Sequence, residues 1–218
     1  MRNLILKIST TADGFVCGPK GELDWLFRRK DDAAAAWTVD IIWQGGAHLM
    51  GSRTYQDMVA YWPYSDEVYA PPMNAIPKIV FTRKGTLERP SPNLTSQALR
   101  DAEASQESTE RKKQPDPAVL KGWLEPEFLG SDLADDIDAL KKRPGKDLIA
   151  HGGAGFAQSL VELGLVDKFC LLVHPIAIGA GRPLFGTLAK PMDLELIDLR
   201  PFPSGAIAKV YRPVDRSP

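Results

Sequence analysis

The sequence predicts an α/β fold with a mostly parallel central sheet. Short apolar segments typical of buried strands alternate with segments of helical periodicity along most of the 218 residues. A glycine-rich turn joins one such strand to a helix within residues 147–163, and another apolar strand follows at 168–174. Two last short strands, at 194–199 and 206–211, flank Pro203-Ser204-Gly205 and predict an antiparallel end to the sheet.

Local patterns assign the elements of the first half. The opening segment alternates and then runs apolar, which is typical of a central strand, and a loop rich in Gly, Thr and Asp follows it. In chain order, the predicted elements are a strand at 4–9, a helical segment beginning at 24, a helix at 31–44, a strand at 47–50, a helix starting near Thr54 and a strand at 78–82.

Residues 91–117 interrupt this pattern. They hold acidic side chains, then Arg111-Lys112-Lys113, with prolines near both ends and few large apolar residues. This composition cannot bury much apolar surface, so we expect a solvated insertion, part helix and part loop. A surface helix is predicted at 132–142. The length suits one domain over 1–218, with 213–218 as a tail.

The unit at 147–174 has the clearest chemical content. Its turn, Gly152-Gly153-Ala154-Gly155, has almost no side-chain bulk, and Gly164 is placed to end the helix that follows. A helix N-terminus has unpaired N–H groups and a partial positive charge, and glycines let a phosphate approach the backbone. The alternative is a tight turn that only needs positive φ. The spacing is not G-x-G-x-x-G, and no Gly-Lys-Ser/Thr follows, which argues against a P-loop.

Composition excludes several classes. A net charge of −1 gives no basis for nucleic acid or an anionic membrane as partner. Two cysteines cannot form a disulfide framework, and the N-terminal apolar run is too short for a membrane helix or signal peptide, so we expect a cytoplasmic protein. The three histidines, His48, His151 and His174, lack metal-site spacing, so no metal is predicted.

GGAGFAQSLVELGLVD followed by HPIAIGAGRPLF resembles the closing half of the dihydrofolate reductase-like fold. More narrowly, it resembles the branch containing the reductase domain of the bifunctional riboflavin-biosynthesis deaminase-reductase. STTADGFVCG, LMGSRTYQDM and KIVFTRK agree with this, in the family's order and over nearly the whole chain. The resemblance implies a three-layer dihydrofolate reductase-like fold, NADPH as cofactor, a small heterocyclic substrate and a homodimer.

The turn that opens the helix near Thr54 resembles the family's Gly-Arg-x-Thr, which holds the NADP phosphates. Ser52 stands where that arginine commonly stands, with Arg53 next to it, so NADP and NAD both stay open. The resemblance also implies that the peptide bond between Gly152 and Gly153 is strained, and a cis peptide bond is one form that this strain can take.

Thr82-Arg83-Lys84 follows a predicted strand. At this position the family has a hydroxyl and a basic residue that bind the adenosine 2′-phosphate. A solvated basic turn is the alternative. The resemblance thus implies cofactor-binding roles for Gly51, Ser52, Arg53, Thr54, Thr82, Arg83, Gly152, Gly153, Ala154, Gly155 and Phe156.

The substrate pocket departs from the riboflavin reductases. Asp13 lies in the family's Ser-Leu-Asp-Gly block, here Thr-Ala-Asp-Gly. Phe15 stands where those enzymes usually have a lysine near the phosphoribosyl group, and His151 replaces the glutamate of their Glu-Gly-Gly. Both changes argue against the pyrimidine substrate of riboflavin synthesis.

Asp24 and Trp25 stand where dihydrofolate reductases place a carboxylate and an aromatic near the pteridine, and Asp24 is alternatively an N-cap. Trp62 lines the same pocket or simply packs. His151, at a strand's C-terminal end, is a candidate for a polar substrate contact or proton donor. The catalytic candidates are Asp13, His151 and Asp24, and the substrate-binding candidates are Thr11, Phe15, Trp25 and Trp62.

The sequence therefore favours an NADPH-dependent reductase that transfers hydride to a small planar heterocycle, pteridine- or pyrimidine-like. Two alternatives stay open. One is the 5-amino-6-(5-phosphoribosylamino)uracil reductase of the riboflavin pathway, with altered residues at the substrate's phosphate-binding site. The other is a dinucleotide-binding dimer module without catalysis.

Overall fold

The computed structural model describes residues 1–82, 100–101, 104 and 114–214. Eight strands of these residues form one sheet, and two short strands, β2 (Phe15–Cys17) and β8 (Arg182–Pro183), pair beside it. The strands of the large sheet are β1 (Leu4–Thr11), β3 (Gly45–Gly51), β4 (Lys78–Phe81), β5 (Glu127–Leu129), β6 (Asp147–His151), β7 (Lys168–His174), β9 (Leu194–Pro201) and β10 (Ile207–Pro213).

The order in the sheet is β5-β4-β3-β6-β1-β7-β10-β9. Every pairing from β5 through to β7 is parallel, whereas β10 runs antiparallel to both β7 and β9. The predicted α/β fold, with a mostly parallel sheet and an antiparallel C-terminal strand pair, is confirmed.

The helices of the described residues are α1 (Asp32–Trp43), α2 (Ser52–Tyr61), α3 (Ala70–Ala75), α4 (Pro117–Leu124), α5 (Leu133–Lys142) and α6 (Ala154–Glu162), with 3-10 turns at Asp24–Phe27 and Trp62–Tyr64. Aspartate side chains cap α1, α4 and α5, since Asp31, Asp116 and Asp132 each accept from backbone N–H groups of the first turn. None of these helices is long and apolar enough to cross a bilayer.

Gly164 ends α6, as predicted. Its φ is +65°, and its N–H donates to the Val161 carbonyl at 3.1 Å. The N–H of Leu165 donates to the Leu160 carbonyl at 3.0 Å, which completes the Schellman pattern that a left-handed glycine permits. This tight exit directs the chain straight into β7.

Both faces of the sheet are covered. Leu4 and Leu6 of β1 pack with α5 and α6 on one face, whereas Ile5 packs against Trp37 and Ile41 of α1 on the other. Because successive strand side chains point to opposite faces, a strand buried on both sides reads as a continuous apolar run. That is why the opening segment is apolar, and it makes the polar Lys7 in the same strand notable.

The segment before α5 differs from the prediction. Trp123 of α4 is fully buried, and its Nε1 donates to Asn74 Oδ1 at 2.8 Å, so α4 and β5 belong to the fold although neither was predicted. Pro117 begins α4 instead of closing a loop, and Asp101 accepts from the Leu23 N–H at 2.6 Å. Most of the predicted insertion at 91–117 lies outside the described residues. The predicted tail begins too early, because Pro213 is in β10; residues 215–218 are likewise outside.

Candidate active site

A groove runs over the carboxyl ends of the parallel strands, the edge where open α/β sheets bind ligands. At the β3 and β4 side, its lining comes from residues 51–54, 81–82, 130–133 and 151–156. At the β1 and β7 side, it includes Lys7, Trp25, Thr38 and His174. The groove therefore has a glycine-rich half and a half with buried polar side chains.

Two helices begin in the glycine-rich half. α2 follows β3 directly and α6 follows β6, and these two strands are neighbours in the sheet. Their N-cap residues, Gly51 and Gly153, have no side chain with which to satisfy the first N–H groups. Two adjacent helix N-termini with unfilled donors form a site suited to phosphate groups.

The glycines of this half allow close backbone packing. Gly153 has a φ of +100°, and a Cβ at that position would lie 2.3 Å from Thr54 Oγ1. A Cβ on Gly51 would lie 3.3 Å from Cβ of Phe156, whose ring stacks on Phe81 with 5.1 Å between centroids. The turn thus needs positive φ at Gly153, and the absence of side chains at Gly51 and Gly153 lets the starts of α2 and α6 pack closely. The described residues contain no cis peptide bond, so the cis form implied by the resemblance is wrong.

Of the two arginines that the resemblance places at the cofactor phosphates, the structure describes only Arg53. Arg53 is exposed at the groove. Thr82 is buried at the end of β4, where its N–H donates to the Leu129 carbonyl at 2.8 Å. Arg83 lies outside the described residues. Ser52, Thr54, Gly152, Ala154 and Gly155 all line the groove.

Lys7 is the main residue that sequence reasoning missed. It lies in β1, paired in register with His151 of β6 and Cys170 of β7, so the three share one face of the sheet. Burial lowers the pKa of Lys7 to about 8, and no described residue forms a salt bridge or hydrogen bond with its ammonium. The available signal was a lysine within the apolar first half of β1, because desolvating a charge without a partner is unfavourable.

His151 lines the groove and is hydrogen-bonded to His48. His151 Nε2 is 2.7 Å from His48 Nδ1, and His48 Nε2 is 3.1 Å from the Pro72 carbonyl oxygen. Burial lowers the pKa of His48 to about 4. The pKa of His151 is also well below its usual value because of burial, with His48 and Lys7 adding to the effect. Both rings are therefore neutral at neutral pH.

Three buried polar atoms of residues that line the groove lack a hydrogen-bond partner among the described residues. They are Trp25 Nε1, Thr38 Oγ1 and His174 Nε2. The Trp25 and His174 rings meet edge to face, with centroids 5.3 Å apart, and burial lowers the pKa of His174 to about 4. Buried polar groups are usually satisfied, so these unpaired atoms at the groove are free to bind a ligand or an ordered water. Trp25 is thus in the groove, as predicted.

Two other predicted contacts lie elsewhere. Thr11 is buried at the end of β1, where its Oγ1 accepts from the Phe15 N–H at 3.0 Å. Phe15 is in β2, paired with Pro183. Neither side chain lines the groove, because the turn after β1 folds towards β8. Trp62 does line it, packed edge to face on Tyr69.

The two predicted catalytic aspartates are also outside the groove. Asp13 is exposed and accepts from the Ile178 and Gly179 N–H groups at 3.0 and 2.8 Å. Asp24 is exposed, pairs with Arg28 at 2.6 Å, and does not cap its 3-10 helix. Asp13 therefore fastens a loop, and Asp24 is not the buried carboxylate that was expected. Residues 1–82, 100–101, 104 and 114–214 contain no group of three His, Cys, Asp or Glu placed to hold a metal.

This sheet order and carboxyl-edge groove define a dihydrofolate reductase-like fold. Dihydrofolate reductase from Enterococcus faecalis, in a structure complexed with NADP(H), superimposes with a TM-score of 0.56 at 12% identity, covering 98% of this chain and 97% of that one. A Thermotoga maritima diaminohydroxyphosphoribosylaminopyrimidine deaminase/5-amino-6-(5-phosphoribosylamino)uracil reductase gives 0.62 at 16% identity, covering 98% of this chain and 57% of that one.

The chain belongs to the RibD C-terminal domain family, whose sequence model matches residues 2–208. The Bacillus subtilis (strain 168) protein YyaP is 27% identical over 211 residues, covering 96% of this chain and 94% of YyaP. The predicted resemblance is therefore confirmed. Family and fold together support an oxidoreductase that acts on a heterocycle.

Proposed function

We propose that this chain is an NADPH-dependent reductase of a small planar heterocycle. The observation that carries the proposal is the continuity of one groove. Its glycine-rich half has two adjacent helix N-termini, and its other half has the half-buried Lys7 together with unsatisfied polar atoms of three buried or half-buried side chains. The first half suits a dinucleotide pyrophosphate, and the second suits a small ring with polar edges.

The glycine-rich residues fit such a cofactor. The glycine at 153 makes room for Thr54 Oγ1, which would lie only 2.3 Å from a Cβ there, so the starts of α2 and α6 can lie close together. In this proposal the α2 and α6 N-termini hold the phosphates, with Arg53 and Thr82 beside them. When bound, NADPH would supply the hydride, and the chain's own residues bind, orient and protonate the substrate.

Lys7 is the best candidate for proton supply. A general acid works well when its pKa is near the working pH, and burial brings the pKa of Lys7 to about 8. His151 and His174, both neutral at neutral pH, are poor acids by comparison. We therefore assign the proton to the Lys7 ammonium, which also stabilises an oxygen or nitrogen that gains negative charge during reduction.

The test has two stages. Intrinsic tryptophan fluorescence is titrated with NADPH, and NADPH oxidation is then followed with dihydropterins, pyrimidines and other heterocycles containing C=N or conjugated C=O. Binding with turnover of one class supports the proposal. Binding without turnover of any would favour the dinucleotide-binding module. Absence of binding would overturn both.

The same assay includes 5-amino-6-(5-phosphoribosylamino)uracil, the substrate in the name of the Thermotoga maritima relative. We expect weak or no reduction, because a neutral His151 replaces the negative acceptor that the riboflavin reductases have there. Phe15, which stands where those enzymes usually have a lysine, adds little to this expectation because its side chain lies outside the groove. Efficient turnover, or rescue of a strain lacking the riboflavin reductase, would favour the riboflavin pathway.

A further inference from the structure

We infer that His48 is a positioning residue that fixes His151 as its Nε2-protonated tautomer, leaving His151 Nδ1 as a hydrogen-bond acceptor for the ligand. The tautomer itself does not depend on the proposed function, but the role in ligand recognition does. The inference follows from a chain of two hydrogen bonds that ends on a backbone carbonyl.

The chain is anchored at Pro72. A carbonyl oxygen can only accept, so the 3.1 Å contact with His48 Nε2 requires a proton on that nitrogen. His48 is 0% exposed, so this contact is shielded from solvent. The backbone of α3 thus dictates which nitrogen of His48 carries hydrogen.

The second link transfers this constraint to His151. The charged groups that face His48 are Lys78 of β4 and, beyond His151, Lys7 of β1, and both are cations. A further positive charge on His48 is therefore unfavourable in its buried position, and a neutral ring leaves Nδ1 with a lone pair. At 2.7 Å from that lone pair, His151 Nε2 must be the donor.

His151 then has one nitrogen left. With Nε2–H given to His48, Nδ1 of the neutral ring can only accept. Lys7, its register partner across β1 and β6, can only donate. A ligand that satisfies both must present a hydrogen-bond donor to His151 and an acceptor or negative charge to Lys7. This pairing selects the orientation of the ligand's polar edge.

The tautomer is tested on histidine labelled with ¹⁵N, in the free protein. The chain has three histidines, so single variants assign the ring signals. We expect His151 at neutral pH with Nε2 protonated and Nδ1 bare. An Nδ1-protonated or charged His151 ring would overturn the inference, whether or not the protein is a reductase.

Two variants test the role of His48. His48→Phe keeps a ring but removes the acceptor, so His151 should become a mixture of tautomers, whereas His48→Asn offers an amide oxygen and should retain the wild-type signal. A wild-type His151 spectrum in His48→Phe would contradict positioning by His48. If His48→Phe does not fold, His48→Asn serves as the test. Loss of the Nε2-protonated His151 signal in His48→Asn would also contradict positioning by His48.

Once a substrate is known, the same variants should separate KM from kcat. Losing one oriented hydrogen bond should raise the substrate KM about 3- to 10-fold in His48→Phe, with kcat changed less. His48→Asn should restore most of this loss. An unchanged KM in His48→Phe, together with a shifted tautomer, would show that His151 does not contact the substrate.

Discussion

Lys7 and His151 occupy paired positions on the adjacent central strands β1 and β6, on the same face of the sheet. No carboxylate among the described residues pairs with Lys7, which leaves a half-buried cation whose counterpart is not supplied by these parts of the chain. Natural proteins keep such costly groups where function needs them. This pair therefore gives the most direct tests of the proposed site.

Replacing Lys7 should stabilise the protein while removing activity. Lys7→Met keeps the volume and apolar stem but removes the desolvated charge, so we expect a free energy of unfolding about 1–3 kcal/mol higher at pH 7. Reduction should fall at least 100-fold if Lys7 supplies the proton, the lower range for general acid catalysis. Urea denaturation and steady-state kinetics measure the two effects. A destabilised variant would show that an unseen partner holds Lys7.

The stability of the protein should also depend on alkaline pH. Folded Lys7 loses its proton near pH 8, whereas the unfolded chain keeps it to about pH 10.5. Between these values the unfolded state binds more protons, so the free energy of unfolding rises with pH. Lys78, whose pKa burial also lowers to about 8, acts in the same direction. Denaturation from pH 7 to 10 should show this rise, reduced by roughly half in Lys7→Met.

The rate of reduction should decline as pH rises through about 8, because the Lys7 ammonium is then lost. Lys7→Arg provides the comparison, since a guanidinium stays protonated and should move this decline to higher pH even if the maximum rate is lower. The kcat/KM profile is the measurement. A profile that is flat to pH 10 in the wild type would exclude Lys7 as the proton donor.

Gly153 should not tolerate a side chain. In Gly153→Ala the Cβ would meet Thr54 Oγ1 at 2.3 Å and the residue would keep a φ of +100°, so we expect weaker NADPH binding. Gly164→Ala is the matched control. It also has positive φ, +65°, but open space around the Cβ, so it should lower stability by about 1 kcal/mol and leave binding intact. Fluorescence titration of both variants checks this; equal affinities would make the Gly153 turn purely structural.

The exposed strand β9 is the surface at which we expect two copies of the chain to pair. Its side chains Leu196, Ile197 and Leu199 are each about half exposed, at 49, 52 and 50%, on the open edge of the sheet. Apolar edge strands favour pairing with another chain, and a two-fold axis would join two β9 strands. We expect a homodimer by light scattering, and a monomer for Ile197→Glu with Leu199→Glu. Leu124→Glu on α4, equally exposed at 49%, should stay dimeric.

Much of the fold was predictable because periodicity and glycine placement are local properties. The strand, turn and helix at 147–164 were readable from consecutive residues, down to the Gly164 cap. The contact of His48 with His151 was not, since it joins residues 103 apart and depends on strand order and register. The burial of Trp123 was not predicted, because the polar segment before α4 does not indicate that a packed helix follows.

The site was predictable where backbone chemistry dominates and not where side chains do. The glycines at both helix starts were predicted from sequence and lie in the groove. Asp13 and Asp24 were predicted because they stand where the family resemblance places aspartate and carboxylate side chains, yet partners on the surface engage both. Whether a side chain faces a cavity or solvent is set by the fold around it, which composition does not encode.

The position of β6 has a consequence for how the protein is made. It lies between β1 and β3, so the strands encoded first are joined to each other only through residues 147–151. A nascent chain that has emerged only as far as α5 holds β1 and β3 with no common neighbour, and their unpaired edges are exposed. Sheet closure must therefore wait for the last third of synthesis, and a ribosome stalled before residue 147 would display an aggregation-prone intermediate.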